Sequence, residues 1–133
     1  MRKVIAGLAV FAASASFALV NAAPAAAAPS CPKGSVCVWD GTNFRGGRYS
    51  WSGNDSNWHN NYWNNGSGKV ANDDSSWYNN GYAQTDYDHV RVYDYNSYSG
   101  RMTLCLHYGP GTEVSSNSGA NNDGQSHRWG GEC

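Results

Sequence analysis

A pattern of two aromatic residues and a glycine occurs twice in this chain, and it limits the possible folds more than any other feature. The copies run from Trp39 to Gly46 and from Tyr93 to Gly100, each spaced as aromatic, four residues, aromatic, one residue, glycine. Glycine adopts backbone angles that other residues resist, so Gly46 and Gly100 suit a hairpin that folds back over its own sheet. The repetition predicts two similar β-motifs.

A second element is repeated in the same order. The stretches 72–76 and 122–126 both have the form Asn-Asp-x-x-Ser, and they begin 33 and 29 residues after the first aromatic residue of their motif. A repeated unit of about 50 residues that contains several strands predicts two β-motifs packed face to face. We expect motif one at about residues 35–88 and motif two at about residues 89–133.

Short runs rich in Val, Tyr, Trp or Thr and bounded by Gly, Asn or Ser predict the strands. Apolar residues do not recur at helical spacing, so no helix is expected. The asparagine-rich stretches 54–68 and 114–125 predict long loops. The predicted strands are Ser35–Asp40, Arg48–Ser52, His89–Asp94 and Met102–Tyr108.

The first 27 residues have the composition of a secretory signal peptide. Arg2 and Lys3 precede an apolar run from Val4 to Val20, and an alanine-rich stretch with several A-x-A sites follows. The alternative is a membrane anchor, but the run is slightly short and no charged cluster stops it. We expect cleavage after Ala27, a mature domain at residues 28–133 and a bacterial protein secreted to the extracellular space.

The charge and composition of the mature chain exclude several partners. Without Arg2 and Lys3, seven basic residues remain against ten acidic ones, so the net charge is near −3. Nucleic acids and anionic membranes need a basic surface, and neither is expected as a partner. Disordered chains lack aromatic residues, whereas this one has six Trp and nine Tyr. We expect a monomer whose core consists mainly of aromatic rings.

All four cysteines lie in the mature part of the chain. An even number in an exported chain predicts two disulfides, and the absence of a C-x-x-C pair argues against a metal site. Three pairings are open. A bond between the N-terminal and C-terminal pairs would close a long loop and contribute about 4 kcal/mol through the unfolded state. The cysteines are Cys31, Cys37, Cys105 and Cys133.

The duplicated aromatic–glycine elements resemble the Greek-key signature of βγ-crystallin domains. The segment 31–39, Cys-Pro-x-Gly-x-Val-Cys-Val-Trp, with Asn43-Phe44-x-Gly46 after it, resembles bacterial secreted peptidase inhibitors of the Streptomyces metalloproteinase inhibitor type. The resemblance extends from about Ala28 to Cys133. It implies an all-β, βγ-crystallin-like sandwich of two Greek-key motifs, stapled by disulfides. It also implies inhibition of a thermolysin-like zinc protease by a rigid loop that occupies the active site.

The Asn-Asp-x-x-Ser elements resemble the calcium-binding stretches of βγ-crystallin domains, so calcium is the one cofactor that the resemblance implies. Calcium takes six to eight oxygen ligands. The next position usually holds a serine in that family, but it holds Trp77 and His127 here, which weakens the expected binding. The alternative is that these elements serve as turns. The implied ligands are the carboxylates of Asp73 and Asp123, the main-chain carbonyls of Asp74 and Gly124, and the hydroxyls of Ser76 and Ser126.

No catalytic constellation appears in the sequence, so we expect a binding protein and no enzyme. Asp86 and Asp88 are expected to face solvent, and the inhibitory loop cannot be located. One alternative function is that of a killer-toxin-like or antimicrobial protein. Another is a cell-wall or carbohydrate-binding module, for which exposed aromatic rings would be needed. The histidines, which show no ligand spacing, are His59, His89, His107 and His127; the rings proposed for sugar binding are Trp51, Trp58, Tyr62 and Trp63.

Overall fold

A computed structural model describes residues 27–133, which form six strands in two three-stranded antiparallel sheets. The predicted signal peptide lies outside the described residues, except for Ala27. Within residues 27–133 no helix is long and apolar enough to cross a membrane. The strands are β1 (Val36–Gly41), β2 (Arg45–Trp51), β3 (Ser76–Asn79), β4 (His89–Tyr95), β5 (Ser99–Leu106) and β6 (Ser126–Gly130).

The two sheets repeat one topology. The strand order is β2-β1-β3 in one sheet and β5-β4-β6 in the other, so the first strand of each motif is central. Each motif begins with a hairpin that needs left-handed backbone, and φ is +82° at Gly46 and +77° at Gly100. A Cβ atom at either position would also collide with the carboxylate of Asp40 or Asp94. The expected role of the two glycines is confirmed.

The sequence patterns located four of the six strands and missed β3 and β6. Both missed strands begin at the serine of an Asn-Asp-x-x-Ser element, a pattern that predicts calcium ligands or a turn. They have only four and five residues, too few for an alternating pattern to stand out. The expectation of no helix also needs a small correction, because two single 3₁₀ turns occur at Thr42–Phe44 and Trp58–Asn60.

The two motifs interlock through main-chain hydrogen bonds. Asp55, from motif one, exchanges two N–H···O bonds of 3.0 and 2.8 Å with His127 at the edge of the second sheet. Val114, from motif two, makes the same paired contact with Trp77, at 2.9 Å in both directions, on the first sheet. Each sheet is therefore extended by a segment of the other motif, and neither motif completes its hydrogen bonding alone.

Aromatic rings fill much of the core, as the composition predicts. Five of the six tryptophans belong to the main cluster of buried residues, together with Val, Leu and Ala side chains. Trp51 and Trp58 stack with ring centroids 4.9 Å apart. This burial corrects the idea of a sugar-binding platform, because Trp51, Trp58 and Trp63 are all buried and only Tyr62 is exposed.

The disulfides join Cys31 to Cys37 and Cys105 to Cys133, so each one staples a single motif. Their sequence separations are 6 and 28 residues. In the loop-closure model such loops contribute about 2 and about 3.5 kcal/mol. The long bridge between the two halves of the chain, considered from the sequence, is not formed. The motifs are held to each other by hydrogen bonds and packing.

Two buried titratable groups lie where the motifs meet. The imidazole of His127 accepts a hydrogen bond at Nδ1 from Trp58 Nε1 (2.9 Å) and donates from Nε2 to the carbonyl of Gly53 (2.8 Å). Burial lowers the pKa of His127 to about 4. Burial also raises the pKa of Asp74 to about 6, although hydrogen bonds from the Gly124 amide and the Trp77 indole favour its ionised form. Acid therefore lowers the free energy of unfolding through His127 and raises it through Asp74.

We expect the stability advantage of the wild type over the variant His127→Gln to shrink as the pH falls from 7 to 4. The folded pKa of about 4 lies below the unfolded value of about 6.5, so acid protonates His127 in the unfolded chain first. The contribution of His127 is complete above pH 6.5 and is lost toward pH 4. Urea unfolding at several pH values should show the difference in free energy narrowing by about 3 kcal/mol.

The matched variant Asp74→Asn should show the opposite trend. Because the folded pKa of about 6 exceeds the ordinary value of 3.8, folded Asp74 keeps a proton that the unfolded chain loses between these values. The wild type should therefore gain on this variant by about 2 to 3 kcal/mol as the pH falls from 6 to 4. A difference in unfolding free energy between the wild type and either variant that does not change with pH would contradict these assignments.

Candidate functional site

The structure brings the two Asn-Asp-x-x-Ser stretches into contact. The amide of Asn72 donates to the carbonyl of Gly124, and the amide of Asn122 donates to the carbonyl of Asp74, both at 2.8 Å. Asn72 and Asn122 both have left-handed backbone, with φ of 59° and 62°, which asparagine tolerates better than most residues. The stretches thus form a nearly symmetric joint between the motifs.

The two serines of these stretches hold the folded hairpins. The hydroxyl of Ser76 donates to the carbonyl of Gly41 (2.7 Å) and accepts from the amide of Phe44 (3.0 Å). In motif two, Ser126 donates to the carbonyl of Tyr95 (2.6 Å) and accepts from the amide of Tyr98 (3.1 Å). Both hydroxyls are buried, so their first task is to satisfy hairpin main-chain groups that water cannot reach.

The symmetry of the joint is broken at Asp74 and Gly124. The carboxylate of Asp74 is fully buried and accepts from the Gly124 amide (2.8 Å) and from Trp77 Nε1 (2.8 Å). A Cβ atom at position 124 would lie 2.5 Å from the Asp74 carboxylate and 2.4 Å from the Trp58 ring. The side chain of Asp74 therefore fills the space that a side chain at position 124 would need. Position 124 must be glycine because no larger residue fits beside Asp74 and Trp58.

The remaining two predicted ligands, Asp73 and Asp123, also have partners. Asp73 accepts from Trp63 Nε1 (2.9 Å), and Asp123 pairs with the guanidinium of Arg101 (3.0 Å). A calcium ion needs six to eight oxygens with negative charge nearby. Each of the six predicted residues is hydrogen-bonded within the chain, and the Arg101 guanidinium faces Asp123. A calcium ion would compete with these partners for the predicted oxygens.

A second group of polar side chains lies at the opposite ends of the strands, around Asn79. Its amide Nδ2 donates to the carbonyls of Asp88 (2.8 Å) and Leu106 (3.0 Å), and its Oδ1 accepts from the amide of Gly81 (2.9 Å). Asn79 is buried, and it joins the end of β3 to the start of β4 and the end of β5. It thereby fixes the roots of two loops, residues 80–88 and residues 107–113.

The loop 107–113 is tied down by its own side chains. The hydroxyl of Thr112 lies 3.0 Å from the carbonyl of His107 and 2.7 Å from that of Gly109, so its proton is shared between them. The amide of Gly109 donates to the carbonyl of Asn79 (2.9 Å), and the amide of Gly111 donates to the carboxylate of Glu113 (2.8 Å). The Cys105–Cys133 disulfide lies just before the loop. An exposed segment is thus held in one conformation.

The two loops carry exposed tyrosines. Tyr82 and Tyr87 lie on the first loop and Tyr108 on the second, and they are 57%, 51% and 39% exposed. One groove is lined by residues of both loops and the start of β4, namely residues 83–86, Asp88, His89, His107 and Tyr108. We call the exposed surface of residues 82–87 and 107–113 the loop face. No motif in the sequence marks it, because tyrosines also occur in the core, as Tyr78 and Tyr93 do.

The structure corrects the expectation that the histidines are scattered. His89 Nε2 lies 2.7 Å from His107 Nδ1, and His89 Nδ1 lies 2.6 Å from the carboxylate of Asp88. Asp88 was expected to face solvent, but its side chain is only 14% exposed. His59 and His127 lie elsewhere, bonded to Gln125 and to the core. The one sequence signal for the pair is that the predicted strands His89–Asp94 and Met102–Tyr108 carry a histidine at their adjacent ends.

Comparison with solved structures identifies the fold. A structure described under the evolution of the eye-lens βγ-crystallin domain fold is 16% identical, with a TM-score of 0.56, and the match covers 80% of this chain and 95% of that one. A βγ-crystallin domain from Clostridium beijerinckii is 13% identical, with a TM-score of 0.52, over 72% and 97% of the two chains. The N-terminal domain of Protein S is 14% identical, with a TM-score of 0.50, over 71% and 93%. The fold is therefore a βγ-crystallin-like sandwich of two Greek-key motifs.

Sequence comparison gives the family. No curated protein matches the chain. A model of peptidase inhibitor family I36 matches residues 24–105, which is more than half of the 133 residues. The match includes the first motif, the Cys31–Cys37 bridge and the hairpin of the second motif. A peptidase inhibitor family describes proteins that bind a peptidase and are not themselves enzymes. The chain belongs to peptidase inhibitor family I36.

Proposed function

We propose that this protein is secreted and inhibits an extracellular metallopeptidase through its loop face. Family membership supports a peptidase as the partner. The predicted signal peptide and the two disulfides support export, because disulfides persist in oxidising compartments. The metallopeptidase class rests on the resemblance of the segment 31–46 to inhibitors of that class.

The observation that carries the loop assignment is the hydrogen bonding of loop 107–113. An inhibitor that enters an active site with a flexible loop must give up conformational freedom, at about 0.5–1.5 kcal/mol for each immobilised side chain. The bonds of Thr112 and Gly109 remove that freedom before binding. Anchoring to Asn79 and to β5, which carries Cys105, joins the loop to the rigid part of the domain.

The tyrosines of the loop face supply contact area. Tyrosine is enriched at the centres of protein interfaces because its ring buries apolar surface at a low entropy cost and its hydroxyl accepts or donates hydrogen bonds. Tyr108 lies on the restrained loop and lines the groove between the two loops, while Tyr82 and Tyr87 are exposed on the other loop. We therefore assign Tyr108 as the main anchor, with the other two as surrounding contacts.

We expect the mature domain, residues 28–133, to inhibit a thermolysin-like peptidase and the variant Tyr108→Ala to be at least about 30-fold weaker, as for the loss of an interface anchor. The control Tyr62→Ala also removes an exposed tyrosine, but from outside the loop face, and should leave inhibition unchanged. Inhibition constants are measured against thermolysin-like, subtilisin-like, papain-like and pepsin-like enzymes.

The pattern across the panel separates the parts of the proposal. Inhibition of a serine, cysteine or aspartic peptidase alone would reject the metallopeptidase class and keep the inhibitor. Equal inhibition by Tyr108→Ala and the wild type would reject the loop face. The absence of inhibition against all four enzyme classes would reject the proposed function.

We also expect the variant Thr112→Val to weaken inhibition by about three- to tenfold, since a hydrogen bond within the chain contributes about 1 kcal/mol. Valine keeps the shape of threonine but removes the hydroxyl that restrains loop 107–113. Thr103→Val is the matched control, because Thr103 bonds within the second sheet and lies outside the loop. Association rates and inhibition constants that are equal for both variants would contradict the preorganised loop.

For calcium we propose only weak binding at the paired Asn-Asp-x-x-Ser stretches, with a dissociation constant no tighter than about 10⁻⁴ M. The guanidinium of Arg101 already neutralises Asp123, so Arg101→Ala should tighten binding, whereas Arg91→Ala should not. Calorimetric titration with calcium measures both. A micromolar constant in the wild type, or no change in Arg101→Ala, would contradict this view.

A further inference from the structure

The rings of His89 and His107 line the groove beside Tyr108, but the proposed inhibition uses neither ring, and their geometry is unusual for a surface. The two residues continue the register of β4 and β5 one step beyond the pair Val90–Leu106. His89 is buried and His107 is exposed, so the pair reaches from the protein interior to solvent. A nitrogen–nitrogen distance of 2.7 Å places two metal-ligating atoms side by side.

The hydrogen bonds determine where the protons of the neutral rings lie. The carboxylate of Asp88 can only accept, so His89 Nδ1 carries the proton that it donates across 2.6 Å. His89 Nε2 then has a free lone pair, which accepts from Nδ1–H of His107. A metal ion at His89 Nε2 would displace that proton. The proton would move through water to the exposed Nε2 of His107, and no proton would be lost overall.

We propose that His89 Nε2 and His107 Nδ1 form a chelating site for a divalent transition-metal ion, with Cu²⁺ favoured over Ni²⁺ and Zn²⁺. Metal–nitrogen bonds of about 2.0–2.1 Å set ligand nitrogens about 2.9 Å apart at a right angle and about 3.3 Å apart at a tetrahedral angle. The observed 2.7 Å is the length of the N–H···N hydrogen bond, so the two nitrogens must separate by about 0.2–0.6 Å to share an ion. A small rotation of the exposed His107 ring opens the pair, and nitrogen ligands bind Cu²⁺ more tightly than Ni²⁺ or Zn²⁺.

The surroundings support a metal and leave coordination positions for water. A carboxylate that accepts from the second nitrogen of a ligating histidine fixes the ring and raises its basicity, and Asp88 does this for His89. Cys133 Sγ lies within 4.8 Å of the ligating atoms of both histidines, but it is bonded to Cys105 and is no thiolate ligand. Asp86 and Glu132 line the same groove and add negative charge beside the ion.

The test is titration of the tag-free mature domain with Cu²⁺, Ni²⁺ and Zn²⁺ by calorimetry, with electron paramagnetic resonance of the Cu²⁺ form. We expect one saturable site, two coordinated imidazole nitrogens and tighter binding of Cu²⁺ than of Ni²⁺ or Zn²⁺. His107→Gln should bind at least tenfold more weakly and show at most one imidazole. His59→Gln is the matched control, because it removes a partly exposed histidine outside the pair.

Asp88→Asn tests the positioning role of the carboxylate. It should lower affinity about tenfold while the resonance spectrum still shows two nitrogens, since both ligands remain. No saturable binding in the wild type, or equal affinity in His107→Gln, would overturn the site. Circular dichroism in the near ultraviolet confirms that each variant is folded, and His107 is exposed enough to change without unfolding the core.

The result is independent of the proposed inhibition, because metal binding is measured without a peptidase. The two properties still need separating in inhibition assays, since a metal-binding protein can remove zinc from a metallopeptidase. Inhibition that disappears when the domain is first saturated with Zn²⁺ would reflect metal capture. Inhibition that persists in the saturated domain and is lost in Tyr108→Ala would belong to the loop face.

Discussion

The hydrogen bond between Trp58 Nε1 and His127 Nδ1 is the contact on which the two-motif arrangement depends. It joins an indole of motif one to an imidazole of motif two inside a core with no exposure to water at either residue. Its geometry requires a neutral His127 whose Nε2 proton is donated to Gly53. A buried polar pair of this kind is costly when it is incomplete, so it specifies one way of docking the motifs. Main-chain bonds from Asp55 to His127 complete the same junction.

The duplicated sequence gives the two motifs nearly the same backbone, but the joint between the stretches 72–76 and 122–126 is asymmetric. Ser76 and Ser126 perform the same task in their hairpins, but Asp74 and Gly124 do not. The single carboxylate of Asp74 serves the space of two positions. One buried acid is easier to satisfy than two facing each other, because like charges at short distance would each raise the cost of ionisation. The asymmetry therefore removes a repulsion that a perfect repeat would create.

Sequence patterns predicted what is local and repeated, and they failed where distant parts of the chain decide. The hairpins at Gly46 and Gly100 followed from spacing and backbone sterics. The His89–His107 pair did not, because β4 and β5 contain register shifts between the pairs Tyr95–Ser99 and Val92–Leu104. The hairpin register alone would place Cys105 opposite His89. The shifts bring His107 there, and no sequence rule fixes their number.

The two ends of the strands have different roles in the domain. At one end of each sheet, Ser76 and Ser126 close the hairpins. The carbonyl oxygens of the Asn-Asp-x-x-Ser stretches accept the hydrogen bonds that join the motifs. At the other end, Asn79 links β3 to the last carbonyl of β5, so the loops there are fixed at their roots, and Thr112 holds residues 107–113 in place. Oxygens that join the motifs must give up a hydrogen bond before they bind a partner. Recognition is therefore expected at the loop face, where Tyr82, Tyr87 and Tyr108 are exposed on restrained loops.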